Sequence, residues 1–329
     1  MKKIFSVPLG TVLLLAGIYA VGPRLECQDL EVSWPEVPVT IAEVEGYVAR
    51  QEAAFPVKKD NEAKVVWADS AACPTEYVLL YLHGFTASSY EGCPMTLDFV
   101  ARYGANAYLP RLYGHGLKDP NPLLDMTPDA LYRSAREALA VAHKLGHKVV
   151  VMATSTGCTL ALMLAADFPQ LVDGLILYSP NIKIRNPFAP LLSGPWGLQI
   201  SRAVHGGAFA VDDEEESEFW YSRYRVEAQV YLQHLLDMRM HASEFAKVHQ
   251  PLFLGYYYRD REHQDPTVDV SAALRMFDEV ATPDDRKVKV AFPDAGAHVI
   301  IKTRALEDVR KTTFDFAEKQ LGLKPVALQ

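Results

Sequence analysis

The chain has 329 residues, enough for one large domain or for a core domain that carries an insertion. Apolar residues make up 49% of it and Pro and Gly are scattered, so the composition is globular and excludes a disordered or fibrous chain. The 33 basic and 41 acidic residues give a formal net charge of −8. A negative chain gains nothing from neutralising phosphates, which argues against a nucleic-acid partner.

The first 24 residues differ from the rest. Lys2 and Lys3 precede 19 uncharged residues, 4–22. A helix of that length spans roughly 28 Å, close to the ~30 Å hydrocarbon core of a bilayer. We interpret residues 1–24 as a transmembrane anchor. A cleaved signal peptide is the alternative, although Ile-Tyr-Ala at 18–20 puts a large residue in the cleavage pattern. Because the positive end stays inside, both interpretations place the remaining chain outside the cytoplasm, on the periplasmic or extracellular side.

Beyond a helical patch at 41–53, short apolar runs alternate with helical patterns. One helix opens at Thr127, a favourable N-cap before Pro128 and Asp129, and closes at Gly146. Strands are predicted at 64–67, 77–82, 107–109, 148–153, 175–178, 252–258 and 288–292, and further helices at 156–167, 271–277 and 304–321. Apolar strands that alternate with amphipathic helices indicate an α/β fold, with a mostly parallel sheet flanked by helices on both faces.

Residues 181–250 interrupt this alternation, since they contain helical patterns and many aromatic residues but no convincing strand. We interpret them as a helical cap, or lid, inserted over the sheet. The core domain is then predicted to comprise residues 25–180 and 251–329. Within the insertion, six of the seven residues 212–218 are acidic. A solvated loop or helix start is the ordinary interpretation of such a run, and an ion site is the alternative.

The cysteines and histidines do not indicate a metal site. No two of the four cysteines form a Cys-x-x-Cys pair, so zinc is not suggested. His143 and His147 have a spacing that suits a metal, but we interpret them as surface residues near a helix C-terminus. Export would expose the chain to oxidising conditions, and Cys73 and Cys93 flank one strand and the loop after it. We therefore hypothesise a Cys73–Cys93 disulfide, with two free thiols as the alternative.

The sequence Ala-Thr-Ser-Thr-Gly at 153–157 lies between a predicted strand and a predicted helix. It is a variant of Gly-x-Ser-x-Gly, in which small residues on both sides of the serine allow a sharp turn. The Ser155 oxygen is then held at the edge of the sheet, above helix N–H groups that suit a developing oxyanion. The pattern alone is weak because its residues are common, and its placement indicates that Ser155 is a nucleophile. A tight turn with an incidental serine is the alternative.

A serine hydroxyl is a poor nucleophile at neutral pH and needs a nearby imidazole. His298 is the best placed histidine, because it lies in a small-residue loop after the last predicted strand. The acid that orients it should follow strand 252–258, where Asp260 and Asp265 are both candidates. Asp260 is at the more usual distance along the chain, whereas Asp265 leads directly into helix 271–277, and we choose Asp265. The order Ser, Asp, His is that of the α/β-hydrolases.

Four sequence motifs carry a family resemblance. They are Leu-His-Gly-Phe at 82–85, Leu-Pro-Arg-Leu-Tyr-Gly-His-Gly at 109–116, the turn at Ser155, and Ala-Gly-Ala-His at 295–298. On these motifs the chain resembles serine hydrolases of the α/β-hydrolase fold. Within that fold it resembles carboxylesterases and monoacylglycerol lipases of the serine-aminopeptidase-like group, over roughly residues 64–180 and 251–321.

The resemblance also implies roles for residues near the nucleophile. The backbone N–H groups of Phe85 and Thr156 would form the oxyanion hole, and His83 and Arg111 would brace the loops. Ala153 departs from the family pattern, because it replaces the usual first glycine with a residue that is still small.

The predicted activity is hydrolysis of carboxylic esters through an acyl-enzyme on Ser155, with His298 as base and Asp265 orienting it. No metal or organic cofactor is implied. The substrate is expected to be a small-molecule ester with an apolar or lipid-like acyl group, because the cap offers aromatic residues to a pocket. These residues are Trp196, Phe209, Phe219, Trp220, Tyr221, Tyr224 and Tyr231.

Two other functions fit the same residues. Hydrolysis of amides or peptides would use the same triad, and the acidic run at 212–218 would hold a substrate amine. A non-catalytic binding protein on the same fold is the other alternative, although the serine and the histidine are both retained. The acyl length, the leaving group and the oligomeric state are left open by the sequence.

Overall fold

The computed structural model describes residues 9–69, 72–212 and 217–326. Its first helix, α1, covers Leu9–Ala20, and 12 residues make it about 18 Å long. No helix in these described ranges is both long and apolar enough to cross a bilayer. The predicted spanning helix at 4–22 is therefore not found in the part of it that is described, and residues 1–8 of the predicted anchor lie outside that part.

A seven-stranded sheet forms the centre of the molecule. Its strands are β1 (Lys64–Val66), β2 (Thr75–Leu82), β3 (Asn106–Leu109), β4 (Gly146–Thr154), β5 (Gly174–Tyr178), β8 (Leu252–Tyr256) and β9 (Lys287–Ala291). They lie in the order β1-β3-β2-β4-β5-β8-β9. Every neighbouring pair is parallel except β1 and β3, which are antiparallel. The carboxyl ends of the parallel strands consequently share one edge.

Helices cover the sheet and connect its strands. They are α2 (Val44–Glu52), α3 (Met95–Tyr103), α4 (Pro128–Leu145), α5 (Thr156–Asp167), α9 (Val270–Glu279) and α10 (Leu306–Gln320). The predicted start of α4 is confirmed, since the Thr127 hydroxyl accepts a hydrogen bond from the Ala130 N–H and Pro128 is the first helical residue. Helix α3 was not predicted; it begins after Pro94 without a side-chain cap.

Strand β4 shows why both faces of the sheet are apolar. Successive side chains of a strand point to opposite faces. Val149 and Val151 join the cluster that α4, α5 and α9 cover, whereas Val150 and Met152 join the cluster beneath α3 and α10. All four valine and methionine side chains are fully buried. The predicted α/β fold, with a mostly parallel sheet covered on both faces, is confirmed.

The chain between β5 and β8 contributes no strand to the central sheet in its described part. It contains helices α6 (Gly197–Val204), α7 (Glu227–Arg239) and α8 (Ala242–Phe245). It also contains a two-stranded antiparallel ribbon of β6 (Phe209–Val211) and β7 (Arg223–Arg225), which the sequence did not predict. Three residues are too few to show the alternation that marks a strand. Most of the acidic run, residues 213–216, lies outside the described residues.

The hypothesised Cys73–Cys93 disulfide is not present, and all four cysteines are free. Cys73 precedes β2, where its carbonyl accepts a hydrogen bond from the Asn106 side chain. Cys93 follows the loop at the other end of β2 and lies near Thr96. The eight residues of β2 separate these ends by about 26 Å, far beyond the Cα separation that a disulfide permits.

Candidate active site

Ser155 occupies a sharp turn between β4 and α5. Its φ of 54° and ψ of −119° are unusual for a residue with a side chain. The turn is fixed because the Ser155 N–H donates to the Tyr178 carbonyl (3.0 Å) and the Ser155 carbonyl accepts from the Asn181 N–H (3.1 Å). A side chain at Gly157 would begin 2.0 Å from the Leu82 carbonyl oxygen. Only glycine therefore lets α5 approach β2 this closely, as a nucleophile elbow requires.

The backbone N–H groups of Phe85 and Thr156 are both available to a ligand. Thr156 is the first residue of α5, and the first N–H groups of a helix have no intrahelical acceptor. Phe85 follows β2 by three positions. Neither group forms a backbone hydrogen bond within the described residues. Two unpaired N–H groups at the start of a helix and the end of a strand can stabilise negative charge on an acyl oxygen.

His298 and Asp265 form a close pair at the same edge of the sheet. His298 follows β9, Asp265 follows β8, and His298 Nδ1 lies 2.7 Å from Asp265 Oδ2. The other carboxylate oxygen, Oδ1, accepts the N–H groups of Thr267 (2.8 Å) and Val268 (3.1 Å). Burial opposes ionisation of Asp265, but His298 and the two N–H groups outweigh it and hold the pKa of this carboxyl below its usual value. Asp265 is thus a buried anion that orients an imidazole.

The remaining nitrogen of His298 is free to act on a substrate. Because Nδ1 donates to the Asp265 carboxylate, the neutral ring carries its lone pair on Nε2. His298 Nε2 is buried and has no hydrogen-bond partner in the described part of the chain, so the Ser155 hydroxyl does not contact it in this state. The Ser179 hydroxyl donates to the His298 carbonyl (2.6 Å) and fixes the backbone of the loop. The hydrogen bond between a catalytic serine and its histidine commonly forms or shortens only when a substrate binds.

The other candidate acid, Asp260, belongs to a surface turn. Its exposed carboxylate contacts the His263 ring at 2.9 Å and accepts the N–H groups of Glu262 and His263. It has no contact with His298. The geometry therefore supports the choice of Asp265 over Asp260.

His83 and Arg111 hold the loops around the nucleophile, as the resemblance implies. His83 Nδ1 contacts the Gly84 carbonyl (3.0 Å), and His83 Nε2 accepts the Leu112 N–H (3.1 Å). Burial lowers the pKa of His83 well below 6.5, so the ring stays neutral with its proton on Nδ1. Arg111 makes a bidentate pair with Glu52, at 2.8 and 3.1 Å. Neither side chain needs to react for these contacts to act.

Glu91, on the loop after β2, was missed in the sequence, although it lies close to Gly84 as Ser155 does. Its side chain is buried, and Oε2 accepts hydrogen bonds from the Gly84 N–H (2.8 Å) and the Tyr81 hydroxyl (2.9 Å). Burial raises the pKa of Glu91 to about 7. A single acid in a polar loop carries no sequence pattern, and only the folding of this loop against β2 makes it distinctive.

Part of the predicted cap reaches the loop that carries Phe85. The Phe85 ring packs edge-on against Tyr224, with centroids 5.1 Å apart, and the Tyr221 N–H donates to the Thr86 carbonyl (2.9 Å). Phe219 stacks on Tyr90 at 3.9 Å. Aromatic residues from the chain between β5 and β8 therefore border the candidate site.

Two of the predicted pocket residues have other contacts. The Trp196 indole N–H donates to the Ile18 carbonyl (3.1 Å), and the Trp196 backbone N–H donates to the Pro23 carbonyl (2.8 Å). The Phe209 ring lies 3.3 Å from the Arg223 guanidinium. Trp196 thus ties the insertion to the N-terminal segment, and Phe209 is covered by an arginine.

The arrangement defines a class of protein. The sheet is mostly parallel and has a serine elbow after β4. An aspartate follows β8 and a histidine follows β9. This is the arrangement of the α/β-hydrolases. The chain belongs to the Alpha/beta hydrolase family, whose model matches residues 79–312. No curated protein matches the sequence significantly.

Solved structures share the fold at low sequence identity. The structure of the metagenome-derived lipolytic enzymes LipS and LipT is 17% identical, with a TM-score of 0.66 over 80% of this chain and 99% of that one. The monoacylglycerol lipase of Paleococcus ferrophilus is 13% identical (TM-score 0.58), over 77% and 96%. A thermostable carboxyl esterase from Bacillus coagulans is 14% identical (TM-score 0.57), over 80% and 96%. At such identities the likeness concerns the fold.

Proposed function

We propose that this protein is a serine hydrolase that cleaves carboxylic esters through an acyl-enzyme on Ser155. The observation that carries the proposal is the Asp265–His298 pair, 2.7 Å apart, with an unpartnered Nε2 at the sheet edge from which Ser155 also projects. A buried imidazole nitrogen without a hydrogen-bond partner calls for an explanation, and a ligand or a reaction at this atom would supply one. The esterases and lipases among the structural neighbours agree with this chemistry.

In the proposed reaction, Ser155 Oγ attacks the ester carbonyl while His298 Nε2 takes its proton. The carbonyl oxygen becomes an oxyanion that accepts hydrogen bonds from the Phe85 and Thr156 N–H groups. The C–O bond to the alcohol then breaks, and the proton on His298 passes to the departing oxygen. Water attacks the acyl-enzyme with His298 again as base, which releases the acid and restores Ser155. Asp265 stays ionised and stabilises the imidazolium throughout.

The proposed substrate is an ester with an apolar acyl group. The stacked rings of Tyr90 and Phe219 are at least partly exposed beside the Phe85 loop and offer apolar surface to an acyl chain. An aminopeptidase-like activity would instead need anionic groups that hold a substrate amine at the site. Glu91, an acid on the loop after β2 that packs against Gly84, is a buried group whose raised pKa of about 7 disfavours a standing charge. We therefore favour esters over aminoacyl amides.

Fluorophosphonate labelling of the full-length chain in mild detergent tests the proposal. The parent should label, and the Ser155→Ala and His298→Ala proteins should not, because the probe requires an activated serine. Ser243→Ala, at an exposed serine, is the matched control and should label like the parent. A folded parent that never labels would contradict the proposal and favour a binding protein. Comparing p-nitrophenyl butyrate with aminoacyl p-nitroanilides then tests ester against amide hydrolysis.

We also propose that residues 25–329 act outside the cytoplasm, because Lys2 and Lys3 precede the uncharged segment and would remain inside. A C-terminal fusion to alkaline phosphatase, which is active only after export, should be active in a bacterial host. An inactive fusion would contradict export. The intact mass of the exported protein distinguishes a retained segment from a cleaved signal peptide.

A further inference from the structure

A chain of hydrogen bonds connects the two segments that carry the proposed oxyanion-hole groups. Thr154 Oγ1 lies 3.0 Å from the Tyr81 hydroxyl, which donates to Glu91 Oε2 at 2.9 Å. The same carboxylate oxygen accepts the Gly84 N–H at 2.8 Å. The three side chains are at most 2% exposed. We call these four residues the Glu91 link; one end precedes Ser155 and the other precedes Phe85.

An ionised Glu91 can only accept, and in that state the direction of each hydrogen bond in the link is determined. A tyrosine hydroxyl has one proton, and Tyr81 gives it to Glu91, so the Thr154 hydroxyl must donate to Tyr81. Glu91 Oε2 then accepts two hydrogen bonds. A neutral Glu91 keeps this arrangement when its proton resides on Oε1. The arrangement needs an acceptor oxygen at position 91, which alanine lacks and glutamine has.

The Glu91 carboxyl and the Ser155 side chain both lie close to Gly84. A side chain at Gly84 would begin 2.9 Å from Glu91 Oε1 and 3.2 Å from Ser155 Cβ. The Gly84 backbone therefore lies close to both the Glu91 carboxyl and the Ser155 side chain, with no space for a side chain of its own. Movement of the Glu91 side chain would therefore displace Gly84, and with it the Phe85 loop and the packing against Ser155.

The link restrains the peptide unit that precedes the one carrying the Phe85 N–H. Glu91 holds the N–H of Gly84, and His83 Nδ1 donates to the carbonyl of Gly84. Both peptide units of Gly84, the residue with the freest backbone, are thus restrained. Since the peptide is planar and trans, the Phe85 N–H points opposite to the Gly84 carbonyl. Without Glu91 the first of these restraints is lost.

We propose that Glu91 is a positioning residue, which holds the Phe85 loop in register with the Ser155 turn so that both N–H groups meet the acyl oxygen. The inference rests on the proposed ester hydrolysis. It predicts that Glu91 acts on turnover more than on substrate binding, because the acyl oxygen becomes an anion only in the transition state.

Several charged or titratable groups face the Glu91 carboxyl. They are Tyr81 on β2, Cys158 on α5, His298 after β9 and Lys302 in the turn before α10. Lys302, and His298 when it carries a proton during the reaction, favour the ionised carboxyl, whereas burial disfavours it. A glutamine at position 91 resembles the neutral carboxyl and keeps its acceptor oxygen. The Glu91→Gln protein and the parent should therefore have similar activity at low pH and different activity where Glu91 ionises.

The test measures kcat and KM for p-nitrophenyl butyrate in full-length Glu91→Ala and Glu91→Gln, with the exposed Glu262→Gln as control. Glu91→Ala should lose about 10²-fold in kcat with KM within about threefold, because an oxyanion donor contributes on that scale. At about pH 6, kcat of Glu91→Gln should be at least about tenfold higher than that of Glu91→Ala. The difference in kcat between Glu91→Gln and the parent should grow above pH 7. Glu262→Gln should match the parent.

Two results would overturn the inference: kcat in Glu91→Ala within about threefold of the parent, or no recovery in Glu91→Gln. If Glu91→Ala does not fold, Tyr81→Phe takes its place, since it breaks the link and keeps the Gly84 contact. It should lower kcat about tenfold without a matching change in KM, and an unchanged kcat would likewise count against the link. If the parent labels with fluorophosphonate but the Glu91 substitutions leave kcat unchanged, the proposed function stays intact and only the role of Glu91 is lost. A parent that does not label removes both.

Discussion

Replacement of Glu91 by glutamine is expected to change how stability depends on pH, apart from any effect on catalysis. Burial raises the pKa of Glu91 from its ordinary value of 4.5 to about 7, against the hydrogen bonds from Gly84 and Tyr81. The folded chain therefore keeps the Glu91 proton at pH values where the unfolded chain has already lost it.

The size of the effect follows from these two pKa values. One pKa unit is worth about 1.4 kcal/mol, so a pKa of 4.5 in the unfolded chain and about 7 in the folded chain corresponds to about 3 kcal/mol. The contribution is fully present below pH 4.5, declines as the pH rises, and is lost above about pH 7. Glutamine has no proton to lose. Relative to the parent, Glu91→Gln should therefore gain about 3 kcal/mol across this range.

Urea unfolding followed by tryptophan fluorescence measures the change. Between about pH 5 and about pH 8 the difference in unfolding free energy between Glu91→Gln and parent should grow by about 2.5 kcal/mol. The exposed Glu262→Gln protein should stay parallel to the parent. An equal difference between Glu91→Gln and parent at both pH values would refute the reasoning, because it would mean that burial does not favour the protonated carboxyl.

Two further predictions concern the triad acid and the elbow. Asp265→Asn should lower kcat for p-nitrophenyl butyrate by about 10²- to 10⁴-fold, because the imidazole loses its anionic partner, whereas Asp260→Asn should stay within about twofold; equal losses would contradict the assignment. Gly157→Ala should destabilise the fold by more than about 3 kcal/mol, since the methyl group would lie 2.0 Å from the Leu82 carbonyl oxygen. Gly207→Ala, with no atom within 4 Å, should change the melting temperature little, and similar melting curves would argue against the clash.

The sequence was sufficient where a strong local pattern and a chemical requirement coincide. The valine-rich strand before Ser155 and the Ala- and Leu-rich helix after it predicted the turn, and the structure begins α5 at the predicted Thr156. The loop of His298 was placed by the last apolar strand. Distance along the chain did not separate Asp260 from Asp265, because both follow the same strand. Their partners, His263 and His298, separate them in space.

The features that were missed depend on contacts between distant segments or on very short elements. Glu91 is distinguished by burial and by its bonds to Tyr81 and Gly84, and neither is written in the residues around position 91. The predicted Cys73–Cys93 disulfide was wrong because the two cysteines are close along the chain but lie at opposite ends of β2. Helix α3 has no capping side chain, and β6 and β7 have three residues each.

The contact of the insertion with the Phe85 loop has a consequence for how this protein can diversify. Ser155 and His298 are both held by hydrogen bonds to the end of β5, through Tyr178 and Ser179, and Ser155 also accepts one from Asn181 at the start of the chain between β5 and β8. The Phe85 loop is instead supported by Tyr221 and Tyr224. Mutations in the insertion that alter substrate range would therefore also shift the loop that activates the carbonyl. Substrate selectivity and turnover are therefore coupled, and variants of residues 181–250 should differ in kcat even when the ester substrate is the same.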